Sequence, residues 1–363
     1  NDRLKPNVTS IWGTRQEQMQ PVAFVDQGQT APVPLAAESS RIHVNLALEY
    51  RQKGLLWYST YVVDFSGLYT FRNPMNDSHG VTFQIHFPSK HAIYDGLAIE
   101  LNGRPLPFTA NRDSAFVSTV LAPGQTAAFR ASYRSQGLDS WRYNLGDDVT
   151  QTRNFELTMN TNFKAIDFPA STLAATEKRK TKTGWELAWR YRNLISGFQI
   201  GMIMPEKLQP GPLAGDISRF APVSLLLFFF VMFILTTVRN IDLHPMNYFF
   251  LAAAFFAFHL LLAYLVDHIA VQLAVFICSL VSMALVVSYL RLVVGPRFAV
   301  VEAGLAQLIY LVAFSYTFFL KGFTGLAVTL GCIVTLFIAM QMTGRIRWSE
   351  RFGSTSSRVP NAA

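Results

Sequence analysis

Residues capable of chemistry are scattered through this sequence. His86 and His91 are separated by Phe-Pro-Ser-Lys, a poor spacing for two metal ligands, and His43 or His79 could join them only through the fold. Asp77-Ser78-His79 contains the residue types of a hydrolytic triad. Sequence neighbours point apart, however, whereas a triad is a spatial arrangement. Flanked by Asn76 and Gly80, the segment reads as a turn. The sequence contains no H-E-x-x-H, G-x-S-x-G, P-loop or dinucleotide fingerprint. No catalytic, cofactor-binding or metal-ligating residue is assigned, and the chain is expected not to be an enzyme.

A second group of polar residues lies in or beside apolar sequence, where burial is costly and retained polar groups tend to serve function. His259, Gln272, Glu302 and Gln307 fall inside apolar runs, and His244, Asp267 and His268 fall at their boundaries. A neutral His259 needs a hydrogen-bond partner, so helix packing is its simplest role, with a proton-relay or ligand role as the alternative. Glu302 is within about one turn of a helix end, where it can reach headgroups or pair with Arg297. Lys178-Arg179-Lys180, with Lys182, could bind anionic lipid or an acidic partner, although a solvated hairpin loop is the simpler reading. Trp141, Trp185 and Trp189 could stack on sugars, but packing in a β core explains them more simply.

The elements that must position these residues divide the chain in two. The overall mean hydropathy of +0.25 averages a charged, alternating first part and an almost wholly apolar second part. A hydrocarbon core about 30 Å thick needs about 20 apolar residues in a helix. Ala221–Val238, Asn247–Val266, Ile269–Leu290, Phe298–Leu320 and Gly322–Met342 fit this requirement. Runs such as SLLLFFFVMFIL do not alternate, so they read as helices rather than barrel strands. Short connections make neighbours antiparallel. No Gly/Pro-broken half-helices of the transporter kind are expected. Arg239, Arg291, Arg297, Arg345, Arg347, Arg351 and Arg358 fall on one side and Lys321 on the other. That bias places the arginine side, with Trp348 as an interfacial anchor, in the cytoplasm and the first part of the chain in the periplasm. The net charge of +8 is therefore attributed to orientation rather than nucleic-acid binding. Cys278 and Cys332 both lie in apolar spans and suggest no disulfide framework.

The first part reads as short strands with period-two alternation, for example Arg41–Tyr50, Leu56–Phe65 and Ala127–Tyr133. Turn signals at Asn102-Gly103, Pro123-Gly124 and Gly137 separate the strands. The expected organisation is an extended, Pro-rich segment over 1–39, a mostly antiparallel, sandwich-like periplasmic domain over 40–207 and a linker over 208–220. Five transmembrane helices over 221–344 and a basic cytoplasmic tail over 345–363 complete it. The first residue is Asn1, so an upstream signal or anchor is an expectation.

Leu243-His244-Pro245-Met246-Asn247-Tyr248, leading into a helix that ends Val266-Asp267-His268, resembles the CreD family of bacterial inner-membrane proteins. Thr343-Gly344-Arg345-Ile346-Arg347-Trp348 and the order of a β domain followed by five helices extend the resemblance. It is clearest over 221–348. The resemblance implies an inner-membrane protein supporting cell-envelope integrity, with no catalytic residues to carry over. Membrane lipids and envelope or membrane-complex proteins are the expected partners. A structural subunit of a larger assembly and a transporter or channel using His259 are the alternatives. His244, His259, Asp267, His268 and Glu302 are the candidate functional residues in or beside the membrane. Lys178, Arg179, Lys180, Arg345, Arg347 and Trp348 are the candidate lipid or partner contacts.

Overall fold

A computed structural model describes residues 11–26, 32–54, 56–146, 150–320 and 322–344. The chain forms two compact units, Asn1–Lys207 and Leu208–Ala363.

The first unit is built from strands β1 (Gln16–Met19), β2 (Val22–Asp26), β3 (Val33–Leu35), β4 (Ser39–Lys53), β5 (Leu56–Arg72) and β6 (His79–His86). They are followed by β7 (Tyr94–Leu101), β8 (Arg104–Pro105), β9 (Thr109–Ala110), β10 (Ser114–Leu121) and β11 (Thr126–Leu138). β12 (Ser140–Asn144), β13 (Thr150–Thr161), β14 (Glu177–Lys180), β15 (Trp185–Ser196) and β16 (Ile200–Ile203) complete the set. An eight-stranded sheet has the order β14-β15-β13-β4-β5-β11-β7-β8, a five-stranded sheet β3-β2-β6-β10-β9, and a three-stranded sheet β1-β12-β16. Pairing is antiparallel except between β13 and β4 and between β1 and β12.

Alternation places one face of each long strand inside. On β4, Ile42, Val44 and Leu46 are buried while Arg41, His43 and Asn45 are exposed. Phe83 of the five-stranded sheet lies 5.4 Å, ring to ring, from both Phe71 and Phe129 of the eight-stranded sheet. The two inner faces thus share one apolar core, as a sandwich requires.

The N-terminal part is more ordered than its proline content suggests. Three strands lie within the 1–39 segment, with Ala23 and Val25 fully buried. The buried side chains of β1 are glutamines, so hydrophobic patterning misses the strand. Gln16 Nε2 donates to Ser135 Oγ at 2.9 Å, and Gln18 Oε1 accepts from the Tyr133 hydroxyl at 2.7 Å. Paired in this way, an amide side chain is tolerated in a core.

Gly137 is not a turn residue. It lies within β11 opposite Tyr61, whose ring occupies the place a Cβ would take, with the nearest ring atoms at 2.3 Å. The tyrosine lies across the bare backbone and donates its hydroxyl to the Ser140 carbonyl at 2.8 Å. Asn102-Gly103 and Pro123-Gly124 do turn the chain, with Asn102, Gly103 and Gly124 at positive φ. Lys178-Arg179-Lys180 is not a loop but part of β14, an edge strand of the largest sheet. Lysines on an edge discourage sheet-to-sheet pairing.

The 208–220 linker is also structured. Pro210–Arg219 forms helix α1, with proline in its first turn, where the missing N–H costs little. Leu213, Ala214 and Ile217 give it a buried face. The Pro-Gly-Pro signal reads as a turn, but the i, i+4 apolar pair that follows selects a helix.

Two predictions follow from the β core. Gly137→Ala must displace the Tyr61 ring and should cost about 1–3 kcal/mol, the usual range for overpacking. Gly80→Ala, where a Cβ meets nothing within 4 Å, serves as the control. Thermal unfolding of the detergent-solubilised chain, followed by tyrosine and tryptophan fluorescence, should show a lowered midpoint for the first variant only. The second prediction concerns the buried tyrosines. Burial pushes Tyr61, Tyr133 and Tyr143 well above the usual value of 10 and Tyr94 up to about 12. Each therefore favours the fold while neutral. That stability is complete below the unfolded value of about 10 and is lost as pH rises toward the folded values. Phenolate absorbance should rise together with loss of β-sheet circular dichroism, and gradual ionisation with the sheet intact would contradict this.

Candidate functional site

The second unit contains five helices long and apolar enough to cross a membrane: α2 (Ala221–Arg239), α3 (Pro245–Leu265), α4 (Val271–Val293), α5 (Phe298–Phe319) and α6 (Thr324–Thr343). Backbone groups in hydrocarbon must pair within the segment, and a helix does this. Polar side chains are then the only groups left to link one helix to another by hydrogen bonds.

α5 supplies most of these links. It is continuous, but its pitch changes along its length. Phe298–Ala303 and Leu308–Ala313 are π-helical, Gly304–Gln307 and Phe314–Tyr316 are α-helical, and Thr317–Phe319 is a 3₁₀ turn. Gln307, fully buried, donates from Nε2 to Ser282 Oγ at 2.8 Å. Ser282 in turn donates to the Ala254 carbonyl at 2.7 Å, completing a chain from α5 through α4 to α3. Ser224 on α2 donates to the Tyr310 carbonyl, and the Tyr310 hydroxyl lies 2.8 Å from Thr335 Oγ1 on α6. The Tyr289 hydroxyl on α4 donates to Asn247 Oδ1 on α3 at 2.8 Å.

Glu302 is paired, but not with Arg297. Its Oε1 lies 2.5 Å from Nη2 of Arg239, the last residue of α2. Arg297 is close in sequence, yet helix packing brings the end of α2 to Glu302. The second carboxylate oxygen, Oε2, is buried without a hydrogen-bond partner among the described residues. Gln307 Oε1 and both ring nitrogens of His259 share that condition.

His259 is buried on α3, with the rings of Phe255, Phe256 and Phe258 at 5.9, 6.0 and 4.9 Å. The expected interhelical hydrogen bond is not made among the described residues, and these aromatic neighbours favour packing over a polar path. His244 caps α3, its Nδ1 accepting from the Met246 amide at 3.3 Å. Asp267 and His268 are exposed just beyond the other end of α3, and Gln272 is exposed on α4. The structure thus does not gather His244, His259, Asp267, His268 and Glu302 into one site. The polar network instead involves Ser282, Tyr310, Ser224 and Thr335, which sequence reading did not single out, and Arg239, which it read only for orientation. Their types carry little signal: Ser279, on the same helix as Ser282, merely bonds back to the Val275 carbonyl.

In the β-rich unit, Arg179 pairs across strands with Glu186 at 2.5 Å, Lys178 sits 4.9 Å above the Phe168 ring, and Lys180 is exposed. Trp141 and Trp189 are fully buried, and the Trp185 and Trp189 indoles donate to the backbone carbonyls of Lys164 and Leu173. Trp141 and Trp189 are core residues, and Trp185 packs half-buried against that core, so the three form no sugar-stacking face. His86 Nδ1 lies 2.8 Å from Ser114 Oγ. No group of three or more His, Cys, Asp or Glu that could hold a metal occurs among the described residues. Arg345, Arg347 and Trp348 lie outside the described residues.

A β-rich unit of mostly antiparallel sheets followed by five long apolar helices defines a polytopic membrane protein. Residues 215–349 match the family model described as inner membrane protein CreD. That segment takes in all five spans, so the likeness to this family is a likeness of the helical part of the chain. No curated protein matches the sequence. Among solved structures, a protein described as nutrient-binding from Legionella pneumophila is similar at 10% identity and a TM-score of 0.38, covering 67% of this chain and 84% of that one. An M1 zinc metallopeptidase from Deinococcus radiodurans is similar at 12% identity and a TM-score of 0.32, covering 50% of this chain and 43% of that one. Likenesses this distant assign no activity.

The unpaired groups allow a test of packing against function. Gln307→Leu removes an interhelical bond worth about 0.6 kcal/mol in a membrane. It also removes a buried unpaired carbonyl whose burial costs about 1–3 kcal/mol. Gln307→Leu and His259→Leu should therefore leave the unfolding midpoint in mild detergent unchanged or raised. Ser282→Ala, which strands the Gln307 amide, should lower it. A fall for His259→Leu would show that the ring has a partner the fold depends on.

Proposed function

We propose that this protein is a non-enzymatic component of the bacterial inner membrane that supports cell-envelope integrity through contacts made by its β-rich domain and its helices. In this reading the β-rich domain lies in the periplasm, and the end of α2 carrying Arg239 lies on the cytoplasmic side with Arg291 and Arg297. The family match over the spans supports the envelope role. The observation that carries the contact reading is the outer face of the eight-stranded sheet. There Arg41, Glu156, Arg190 and Glu177 form a lateral ladder, with ion pairs at 3.5, 3.0 and 2.6 Å. Carboxylates held by arginines along an open face are suited to recognition by another surface.

A structural subunit of a larger inner-membrane assembly is the second reading. It is favoured by α6, which presents Leu330, Val334, Phe337 and Met340 outward and has the smallest buried share of the five spans.

Crosslinking in intact cells, followed by mild-detergent purification and mass spectrometry, tests both readings. A recurrent envelope protein crosslinked to the β-rich domain supports the first, and stoichiometric membrane proteins crosslinked through α6 support the second. Recovery of uncrosslinked chain alone counts against both. Orientation is tested separately in a background lacking Cys278 and Cys332. Ser78→Cys should react with an impermeant thiol reagent added outside the inner membrane, and Ser354→Cys should not. The opposite pattern would reverse the assignment.

A further inference from the structure

The outward side of the bundle carries a groove of about 250 Å³ between α2, α5 and α6. Its walls are almost entirely apolar, including Leu235, Leu305, Ile309 and Ile338. Glu302 also lines it. A carboxylate in an apolar membrane groove is unusual enough to read as functional. This one sits in the first π-helical stretch of α5, and such stretches are frequent at functional sites.

The charges at the groove are incompletely used. Arg239 is 60% exposed and meets Glu302 through one nitrogen. A guanidinium carries five N–H donors, so others remain for an acceptor. On the carboxylate, Oε1 takes the arginine while Oε2 has no hydrogen-bond partner among the described residues. Each carboxylate oxygen has room for two hydrogen bonds, so Oε1 can take a second donor that enters the groove. The site therefore offers a cation with spare donors beside an anion with a spare acceptor, at one end of an apolar channel.

We infer that this groove binds one molecule of phosphatidylethanolamine from the leaflet at the Arg239 end of α2. Its ammonium donates to Glu302, its phosphate accepts from Arg239, and part of one acyl chain lies along Leu305 and Ile309. The headgroup complements both charges with bonds each can make. Phosphatidylglycerol lacks the cation, and phosphatidylcholine carries a quaternary nitrogen with no N–H to donate. The volume admits a stretch of one chain, leaving the rest of the lipid in the bilayer.

Native mass spectrometry of the full chain, extracted in mild detergent and exchanged into equimolar mixtures of the three lipids, tests the proposal. Phosphatidylethanolamine should be retained one to one and at least about fivefold over the others. Glu302→Gln and Ile309→Trp should each reduce that retention at least about fivefold. Circular dichroism and elution volume would confirm that the fold is intact. If Glu302→Gln does not fold, Ile309→Trp, altered only on the exposed wall, carries the test. Equal retention of all three lipids, preference for phosphatidylglycerol, full retention by a folded variant, or a second protein crosslinked along Ile309 and Ile338 in place of lipid would each overturn it.

Discussion

A polar group removed from water must find a partner or cost stability, and this constraint shapes both units. In the β-rich unit the sheet ladders satisfy the backbone, leaving the core's own polar side chains to be paired. Tyr69 and Tyr143 place their hydroxyls 3.1 Å apart, and Tyr133 reaches Gln18. Fully buried Asn73 donates to the Asp77, Leu121 and Ala122 carbonyls and ties together two chain reversals. In the helical unit the solvent is hydrocarbon, and side-chain hydrogen bonds become the cross-links between spans. The same few residue types, Ser, Thr, Tyr, Asn and Gln, serve both settings.

The hairpin of β4 and β5 organises the first unit. Its strands are 15 and 17 residues long, and the whole of β4 pairs with β5. β4 then adds β13 in parallel and β5 adds β11 antiparallel, so the largest sheet grows outward from one local contact. Two glycines allow aromatic rings to lie flat on this sheet. Tyr61 covers Gly137 across the strand pair, and Tyr69 covers Gly67 two residues before it. Large rings thereby fill the core without forcing the strands apart.

What could be read from sequence depended on how strongly the solvent selects each element. The five spans were legible because lipid accepts little except a long apolar helix, and their ends were found to within a few residues. The long strands were legible from alternation. β1 was not, because its inward side chains are Gln16 and Gln18, whose burial depends on partners more than 100 residues away. β14 was hidden by its charges, which mark an edge strand and a loop equally well. The helix at Pro210–Arg219 was hidden by prolines whose meaning depends on their position in a turn. The partner of Glu302 was illegible for a related reason. Arg297 is near in sequence, but only packing shows that Arg239 is near in space.

The irregular pitch of α5 follows from the number of neighbours it must address. Glu302 turns to Arg239 on α2, Gln307 to Ser282 on α4, and Tyr310 to Ser224 on α2 and Thr335 on α6. In a regular α-helix, at 3.6 residues per turn, residues five apart diverge by about 140°. Such a helix presents its polar groups wherever that geometry sends them, and in hydrocarbon a misdirected one has no water to fall back on. Changes of pitch on either side of Gly304–Gln307 alter those directions without breaking the helix. Gln307 faces inward to a serine while Glu302, five residues earlier, faces a groove. A span that carries most of the bundle's polar contacts and one charge has reason to depart from ideal geometry, whereas α6, where Thr329, Thr335 and Thr343 bond back to their own helix, is regular throughout.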